Sequence, residues 1–104
     1  MRIISVGTLR RFANANPQLL SSIDSWVYLV ERSNWKTPQD IKRDFGSASI
    51  LKNSRVVFNL HGNTIRLVAA VLYEARVLLV KFIGFHREYD AIDAQTVEQK
   101  EWRN

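Results

Sequence analysis

Residues 84–90 bring together side chains that can perform acid-base and phosphate chemistry. The run reads Gly84-Phe85-His86-Arg87-Glu88-Tyr89-Asp90. Cleavage of RNA through the adjacent 2′-hydroxyl needs that oxygen deprotonated, the phosphate charge neutralised and the leaving 5′-oxygen protonated. His86, Arg87 and Tyr89 are residue types that can supply these functions without a metal ion. The alternative interpretation is an ordinary polar helix start after a strand, which needs no chemistry.

The second half of the chain predicts a three-stranded antiparallel meander directly ahead of this run. Its strands are β-branched and aromatic runs separated by turn-forming segments, at residues 55–60, 64–72 and 77–83. A two-residue hairpin turn at Gly62-Asn63 places Asn59 opposite Arg66. A second turn, centred just after Glu74, places Arg66 opposite Ile83.

This register gives the sheet one apolar face and one basic face. Val68 then lies opposite Lys81, and a slip of one residue would put a cation into the core at a cost of several kcal/mol. The apolar face consists of Val56, Phe58, Leu60, Ile65, Leu67, Ala69, Val71, Leu78, Val80 and Phe82. The other face consists of Arg55, Val57, Asn59, Arg66, Val68, Ala70, Leu79, Lys81 and Ile83. We expect helices to cover the first face and the second to remain an open basic surface.

Arg66 on the basic face has two interpretations. It either pairs with Glu88 or Asp90 and merely satisfies a partly buried charge, or it presents a rigid guanidinium fork to a phosphate. The presence of Lys81 on the same face favours the second interpretation, because two like charges repel each other unless an anion lies between them.

The first half of the chain predicts a short strand followed by helices. Residues 2–6 suit a strand, and apolar residues recur at helical spacing from Thr8 onward. Asn16-Pro17 supplies a cap and a first-turn proline for a second helix that extends to residue 32, and Thr37-Pro38 repeats the signal for a short third helix. The following segment, residues 46–54, is expected to be a loop or a poorly regular crossing.

The order of these elements indicates a single α+β domain. Helices first and a meander afterwards predict an N-terminal strand and helices packed on one face of a C-terminal antiparallel β-sheet. No repeat, linker or composition shift marks a boundary, so we expect one domain over residues 1–104. Residues 93–104 are polar apart from Val97 and Trp102, and they are either a frayed helix or a docking segment.

The composition of the chain favours a polyanionic partner and argues against a metal or cofactor site. The chain has 15 Lys and Arg against 10 Asp and Glu, a net charge of +5, which favours nucleic acid, although many soluble domains carry such a charge without binding RNA. Cysteine is absent, and two histidines with scattered carboxylates do not suggest a zinc site, so we expect no metal and no cofactor. Without a signal-peptide pattern or an apolar span, we expect a cytoplasmic protein with no membrane partner.

Several segments together resemble the HigB toxin family of the RelE superfamily. They are Arg55-Val56-Val57-Phe58-Asn59, Gly62-Asn63, Arg66-Leu67-Val68, and the run from Gly84 to Asp90 with Ile92-Asp93-Ala94. Trp35-Lys36-Thr37-Pro38 and Ser49-Ile50-Leu51 are also similar to that family. The resemblance covers nearly the whole chain, to about Val97, and the His-x-Glu-Tyr-Asp motif at 86–90 is its most specific part.

The resemblance implies a RelE-like fold and an endoribonuclease toxin that cleaves mRNA, typically on the translating ribosome. It also implies a cognate HigA-like helix-turn-helix antitoxin. The catalytic candidates are Arg66, His86 and Tyr89. The candidate contacts to RNA or the ribosome are Lys52, Arg55, Asn59, Lys81 and Arg87. Two other hypotheses stay open: a non-catalytic RNA- or ribosome-binding module, and an interaction protein whose open sheet face binds a peptide.

Overall fold

The structure, a computed structural model, describes residues 1–98 and has an α+β architecture. Its elements are β1 (Arg2–Ile4), α1 (Val6–Ala15), a 3₁₀ turn (Pro17–Leu19), α2 (Leu20–Arg32), α3 (Pro38–Asp44), β2 (Ser49–Ile50), β3 (Arg55–Leu60), β4 (Ile65–Leu72), β5 (Val77–Phe85) and α4 (His86–Tyr89). Over these residues, none of the helices is long and apolar enough to cross a membrane. The part of the tail prediction that concerns residues 99–104 lies outside the described residues.

The predicted N-terminal helices are confirmed, although two of them start differently. Ser5 adopts a left-handed conformation with φ of 75°, so the chain leaves β1 after Ile4 and α1 begins earlier than Thr8. The second helix opens with a 3₁₀ turn, and α2 proper follows. Thr37 caps α3 as predicted: its hydroxyl accepts from the Asp40 backbone N–H at 3.3 Å, and the Asp40 carboxylate accepts from the Thr37 backbone N–H at 3.2 Å.

The sheet has five strands in the order β1-β5-β4-β3-β2. Its three central strands are the predicted meander, and Asn59 lies opposite Arg66 as predicted. At one edge β1 pairs in parallel with β5, because the helices between them carry the chain across one face of the sheet. At the other edge β2 pairs with β3, so the expectation of a loop over residues 46–54 is wrong at Ser49–Ile50.

A β-bulge shifts the predicted register between β4 and β5. From Ala69 to Leu72, the residues of β4 pair with β5 as predicted. The irregularity lies between Val68 and Ala69. Beyond it, Val68 faces Phe82 and Arg66 faces Gly84, in each case one residue further along β5 than predicted. Both of those predicted pairings are therefore wrong.

The bulge also exchanges the faces of two large apolar residues. An extra residue in one strand interrupts the alternation of side chains, so Lys81 and Phe82 point to the same face. Ile83 joins the core beneath the helices, whereas Phe82 contacts Val57 and Val68 on the opposite face. The prediction that placed Phe82 on the helix-covered face and Ile83 opposite is wrong.

The main core lies between the helices and the sheet and is built around aromatic side chains. Phe58 of β3 contacts Trp26 of α2 edge-on at 5.3 Å between ring centroids, and it stacks on Trp35 at 6.2 Å. Phe45, just after α3, meets both Phe58 and Trp35 edge-on. Trp26 and Trp35 are buried core residues, and the sheet is therefore a rigid support for whatever its other face carries.

Candidate active site

One end of the sheet face opposite the helices is covered by residues 91–98, which we call the C-terminal strap. Ala94 and Val97 of the strap are buried, and they form a second small core with Val57, Val68 and Phe82. The docking alternative is thus confirmed for the described part of the tail. The expectation that this whole face is open and basic is wrong, because the strap docks there with two buried apolar residues.

Two cations predicted for the open face bind the strap. The Nη1 of Arg55 donates to the carbonyl oxygens of Val97 at 2.7 Å and Ala94 at 3.4 Å, and its Nη2 donates to Oε2 of Glu98 at 3.1 Å. The Nζ of Lys81 donates to Oε1 of the same carboxylate at 2.7 Å. The sequence pattern predicts an anion between Arg66 and Lys81. The Glu98 carboxylate of the chain itself instead lies between Lys81 and Arg55, and Arg55 is only 6% exposed.

The bridging carboxylate makes the strap sensitive to acid. The hydrogen bond from Lys81, together with the positive charges of Lys81 and Arg55, holds the pKa of Glu98 below its ordinary value. A carboxylate with a lowered pKa in the folded state stabilises the fold above the unfolded pKa of about 4.3, and that stabilisation is lost as the pH falls through the folded value. We expect the NMR methyl signals of Ala94 and Val97 to shift as the pH falls below about 4.3, before the sheet unfolds.

The variant Glu98→Gln is the control for this titration. It keeps the shape of the side chain but cannot titrate, so the methyl shifts should lose their pH dependence before global unfolding. Methyl signals in the wild type that stay constant until the whole protein unfolds would contradict the expected acid release of the strap.

Arg66 lies at the other end of the same face, beside Tyr89. It sits four residues along β4 from Ala70, the partner of Arg55, which is a distance of about 13 Å at ~3.3 Å per residue. Arg66 is half-buried, its Nη1 donates to the Asn63 carbonyl oxygen at 3.3 Å, and its Cζ lies 5.9 Å from the centroid of the Tyr89 ring. The guanidinium therefore reaches the end of the sheet that the strap leaves uncovered.

The structural alternative for Arg66 does not occur among residues 1–98, where the structure gives this guanidinium no ion pair. Glu88 instead accepts from the Phe85 backbone N–H at 2.9 Å. Asp90 instead lies beside His86, with its Oδ2 at 3.3 Å from the Nδ1 of the imidazole. Within these residues, no carboxylate therefore neutralises the charge of Arg66.

Gly84 leaves the position opposite Arg66 without a side chain. A Cβ at Gly84 would lie 2.7 Å from Cζ of Phe82, closer than real Cβ contacts allow. The Phe82 ring fills that space and contacts the Tyr89 ring at 6.4 Å between centroids. A glycine inside a strand often marks a close approach of this kind, so this residue was a signal that the sequence analysis did not use.

The single turn of α4 carries the remaining candidates. Phe85 precedes it and packs against Phe12 of α1 at 5.6 Å between ring centroids, which fixes the start of the turn. The His86 side chain is 54% exposed and Arg87 is exposed, while Tyr89 is half-buried. The turn therefore directs a histidine and an arginine toward solvent and a tyrosine toward Arg66.

The eight candidate residues divide between the two ends of the face. Asn59 lies beside Arg66 and donates to the Ser47 carbonyl oxygen at 3.0 Å. The group near the uncovered end consists of Asn59, Arg66, His86, Arg87 and Tyr89. Lys52 is exposed just ahead of β3, at the end where the strap docks through Arg55 and Lys81. The structure does not bring those three cations to the first group.

Within residues 1–98, the other histidine lies away from this cluster. His61, in the turn after β3, lies with its Nδ1 at 3.0 Å from the Ser22 hydroxyl of α2. Over residues 1–98, no group of three or more His, Asp or Glu side chains is placed to hold a metal ion.

Comparison with known proteins places these residues in a family context. The model of a family described as "HigB_toxin, RelE-like toxic component of a toxin-antitoxin system" matches residues 20–92. The mRNA interferase toxin HigB of Escherichia coli strain K12 is 28% identical over 96 residues, which cover 90% of this chain and 92% of that protein. An mRNA interferase HigB of Shigella flexneri matches equally, and one from Escherichia coli O6:H1 strain CFT073 is 26% identical over 103 residues, covering 97% of this chain and 100% of that protein.

Proposed function

Because this chain belongs to the HigB family of RelE-like toxic components of toxin-antitoxin systems, we propose that it is a metal-independent endoribonuclease that cleaves mRNA and so stops translation. Similar proteins of nearly the same length are named mRNA interferases, which supports this activity. The observation that carries the proposal is the Arg66 guanidinium beside Tyr89 at the uncovered end of the sheet, one turn of α4 from His86.

The reaction that fits these side chains is transfer of the phosphate to the neighbouring 2′-oxygen. The 2′-oxygen attacks phosphorus, the bond to the 5′-oxygen breaks, and the products carry a 2′,3′-cyclic phosphate and a 5′-hydroxyl. Arg66 binds the phosphate and stabilises the charge that builds up on it, because a guanidinium can donate two parallel hydrogen bonds to phosphate oxygens. His86 transfers a proton to or from the reacting oxygens, and the Tyr89 hydroxyl donates to the same phosphate.

Three of the remaining candidates serve RNA binding in this proposal. Arg87 and Asn59 flank the reacting phosphate, and exposed Lys52 contacts RNA or the ribosome further along the face. We propose that the substrate is mRNA on the translating ribosome in the cytoplasm. The partner that silences the protein is a HigA-like helix-turn-helix antitoxin, and membership of a toxin-antitoxin family supports such a partner.

Product chemistry tests the proposed activity. The purified protein should cleave mRNA, more efficiently on translating ribosomes than in free solution, and EDTA should not inhibit it. The fragments should carry the cyclic phosphate and the 5′-hydroxyl, and induced expression without an antitoxin should arrest growth and amino-acid incorporation. A folded protein that binds RNA or ribosomes but yields no fragments would identify a non-catalytic binding module instead, and salt-insensitive binding of a peptide would identify an interaction protein.

A further inference from the structure

We propose that Arg55 and Glu98 are positioning residues that hold Tyr89 beside Arg66 by anchoring the C-terminal strap. The inference rests on the proposed function, because it concerns the tyrosine of that site. It replaces the expectation that Arg55 contacts RNA directly.

The first step is the short connection between Tyr89 and the strap. The strap begins two residues after Tyr89, and the Phe82 ring contacts the Tyr89 ring at 6.4 Å while also packing with Ala94 and Val97. One aromatic ring is therefore shared by the tyrosine and the buried part of the strap. A displacement of the strap changes the surface on which the tyrosine rests.

The second step is that α4 cannot hold Tyr89 by itself. A single helical turn is far below the ~12 residues that an isolated helix needs for marginal stability, so its geometry depends on its attachments. The attachment before it is Phe85, which packs against Phe12 of α1. The attachment after it is the strap, so both sides must be fixed for the tyrosine to keep one position.

The third step concerns what fixes the strap. The Arg55 guanidinium donates to two strap carbonyl oxygens and to the Glu98 carboxylate, and Asn53 donates to the Gln95 carbonyl oxygen at 3.2 Å. Hydrogen bonds that involve charged groups are among the stronger ones in proteins. Arg55, buried in β3, is thus the main polar anchor between the rigid sheet and the strap.

The fourth step excludes a direct contact between Arg55 and the reacting phosphate. Arg55 is 6% exposed, and its strand position lies about 13 Å from that of Arg66 at ~3.3 Å per residue. Any effect of Arg55 on cleavage must pass through the strap.

Substitution of the anchor tests the inference. Arg55→Met keeps an apolar stem of similar length and removes the donors, so kcat at saturating RNA should fall about tenfold, within the ~10²-fold that a misplacement of 1 Å can cost. Hydrogen exchange in residues 91–98 should become faster while exchange in β3 to β5 stays unchanged. RNA affinity and its dependence on salt should not change, because the salt slope counts neutralised phosphates. Lys36→Met, which removes an exposed charge ahead of α3, is the matched control.

A double-mutant cycle separates positioning from direct contact. If Arg55 acts through the Tyr89 hydroxyl, Arg55→Met should cost little more in kcat once Tyr89→Phe has been introduced. Additive losses, or a salt slope lowered by about one, would assign Arg55 to the RNA and overturn the proposal. If Arg55→Met does not fold, Glu98→Gln, whose side chain is 42% exposed, gives the same cycle. A wild type that cleaves no RNA contradicts the proposed function, whereas cleavage by the wild type with additive losses contradicts the positioning role alone.

Discussion

His86→Gln is expected to lower the rate of RNA cleavage by roughly 10²–10⁴-fold while RNA binding survives, since general acid-base catalysis contributes about that much. Glutamine keeps the size and much of the polarity of histidine, but its amide has no pKa near neutral pH and cannot act as a general acid or base. The half-exposed imidazole makes one contact in the described part of the chain, with Asp90, so its replacement should leave the fold intact. Single-turnover cleavage and a separate binding titration measure the two effects independently.

His61→Gln is the matched control for this substitution. His61 lies in the β3–β4 turn and bonds Ser22 of α2, so its loss should leave the cleavage rate unchanged. Unchanged rates in both His86→Gln and His61→Gln would show that no histidine transfers the proton. Catalysis would then be electrostatic and rest on Arg66 and Arg87, and the role assigned to His86 would be wrong.

The meander could be predicted because local signals and burial agree there. Gly62-Asn63 specifies the turn, and β3 and β4 alternate between apolar and other residues in a way that only one register satisfies. Arg66 was therefore placed on the correct face, opposite Asn59, from the sequence alone. The same agreement of cap and periodicity specified α3 at Thr37-Pro38.

The bulge in β5 could not be predicted, because the regular register and the bulged register each place one large apolar residue in the main core. Phe82 and Ile83 are equally suited to a core, so hydrophobic alternation does not decide which of them faces the helices. The difference matters for the site, because the bulge brings Phe82 beneath Tyr89 and Gly84 beside Arg66.

The sequence left the strap undecided between a frayed helix and a docking segment, for a different reason. Ala94 and Val97 are isolated apolar residues in a polar segment, and they dock only because the sheet presents a complementary apolar patch. Their partners are distant in the chain, as Arg55 is from Glu98, so no local pattern reveals the contact. The parallel pairing of β1 with β5 is likewise a long-range choice that no short segment encodes.

Arg66→Ala should remove about 2–4 kcal/mol of transition-state stabilisation, the range for loss of one preorganised donor, or about 30- to 1,000-fold in kcat/KM. Stability should fall by about 0.5–2 kcal/mol, because a cation-π contact contributes roughly 0.5–1 kcal/mol at exposed sites and about 2 kcal/mol when desolvated, and Arg66 and Tyr89 are both half-buried. The basis for both expectations is a half-buried guanidinium that has Asn63 and Tyr89 as neighbours and, within residues 1–98, no ion pair. Cleavage kinetics and denaturant unfolding of the same preparation measure the two quantities.

Two further variants determine what the guanidinium does. Arg66→Lys keeps the charge but loses the two-pronged donor geometry, so its rate should lie between those of the wild type and Arg66→Ala. Arg43→Ala removes an exposed arginine of α3 that pairs with Asp40, and it should leave cleavage unchanged. An Arg66→Ala protein that unfolds easily yet keeps full activity per folded molecule would make Arg66 a structural residue. The phosphate would then have to be bound by Arg87, the other arginine near the uncovered end of the sheet.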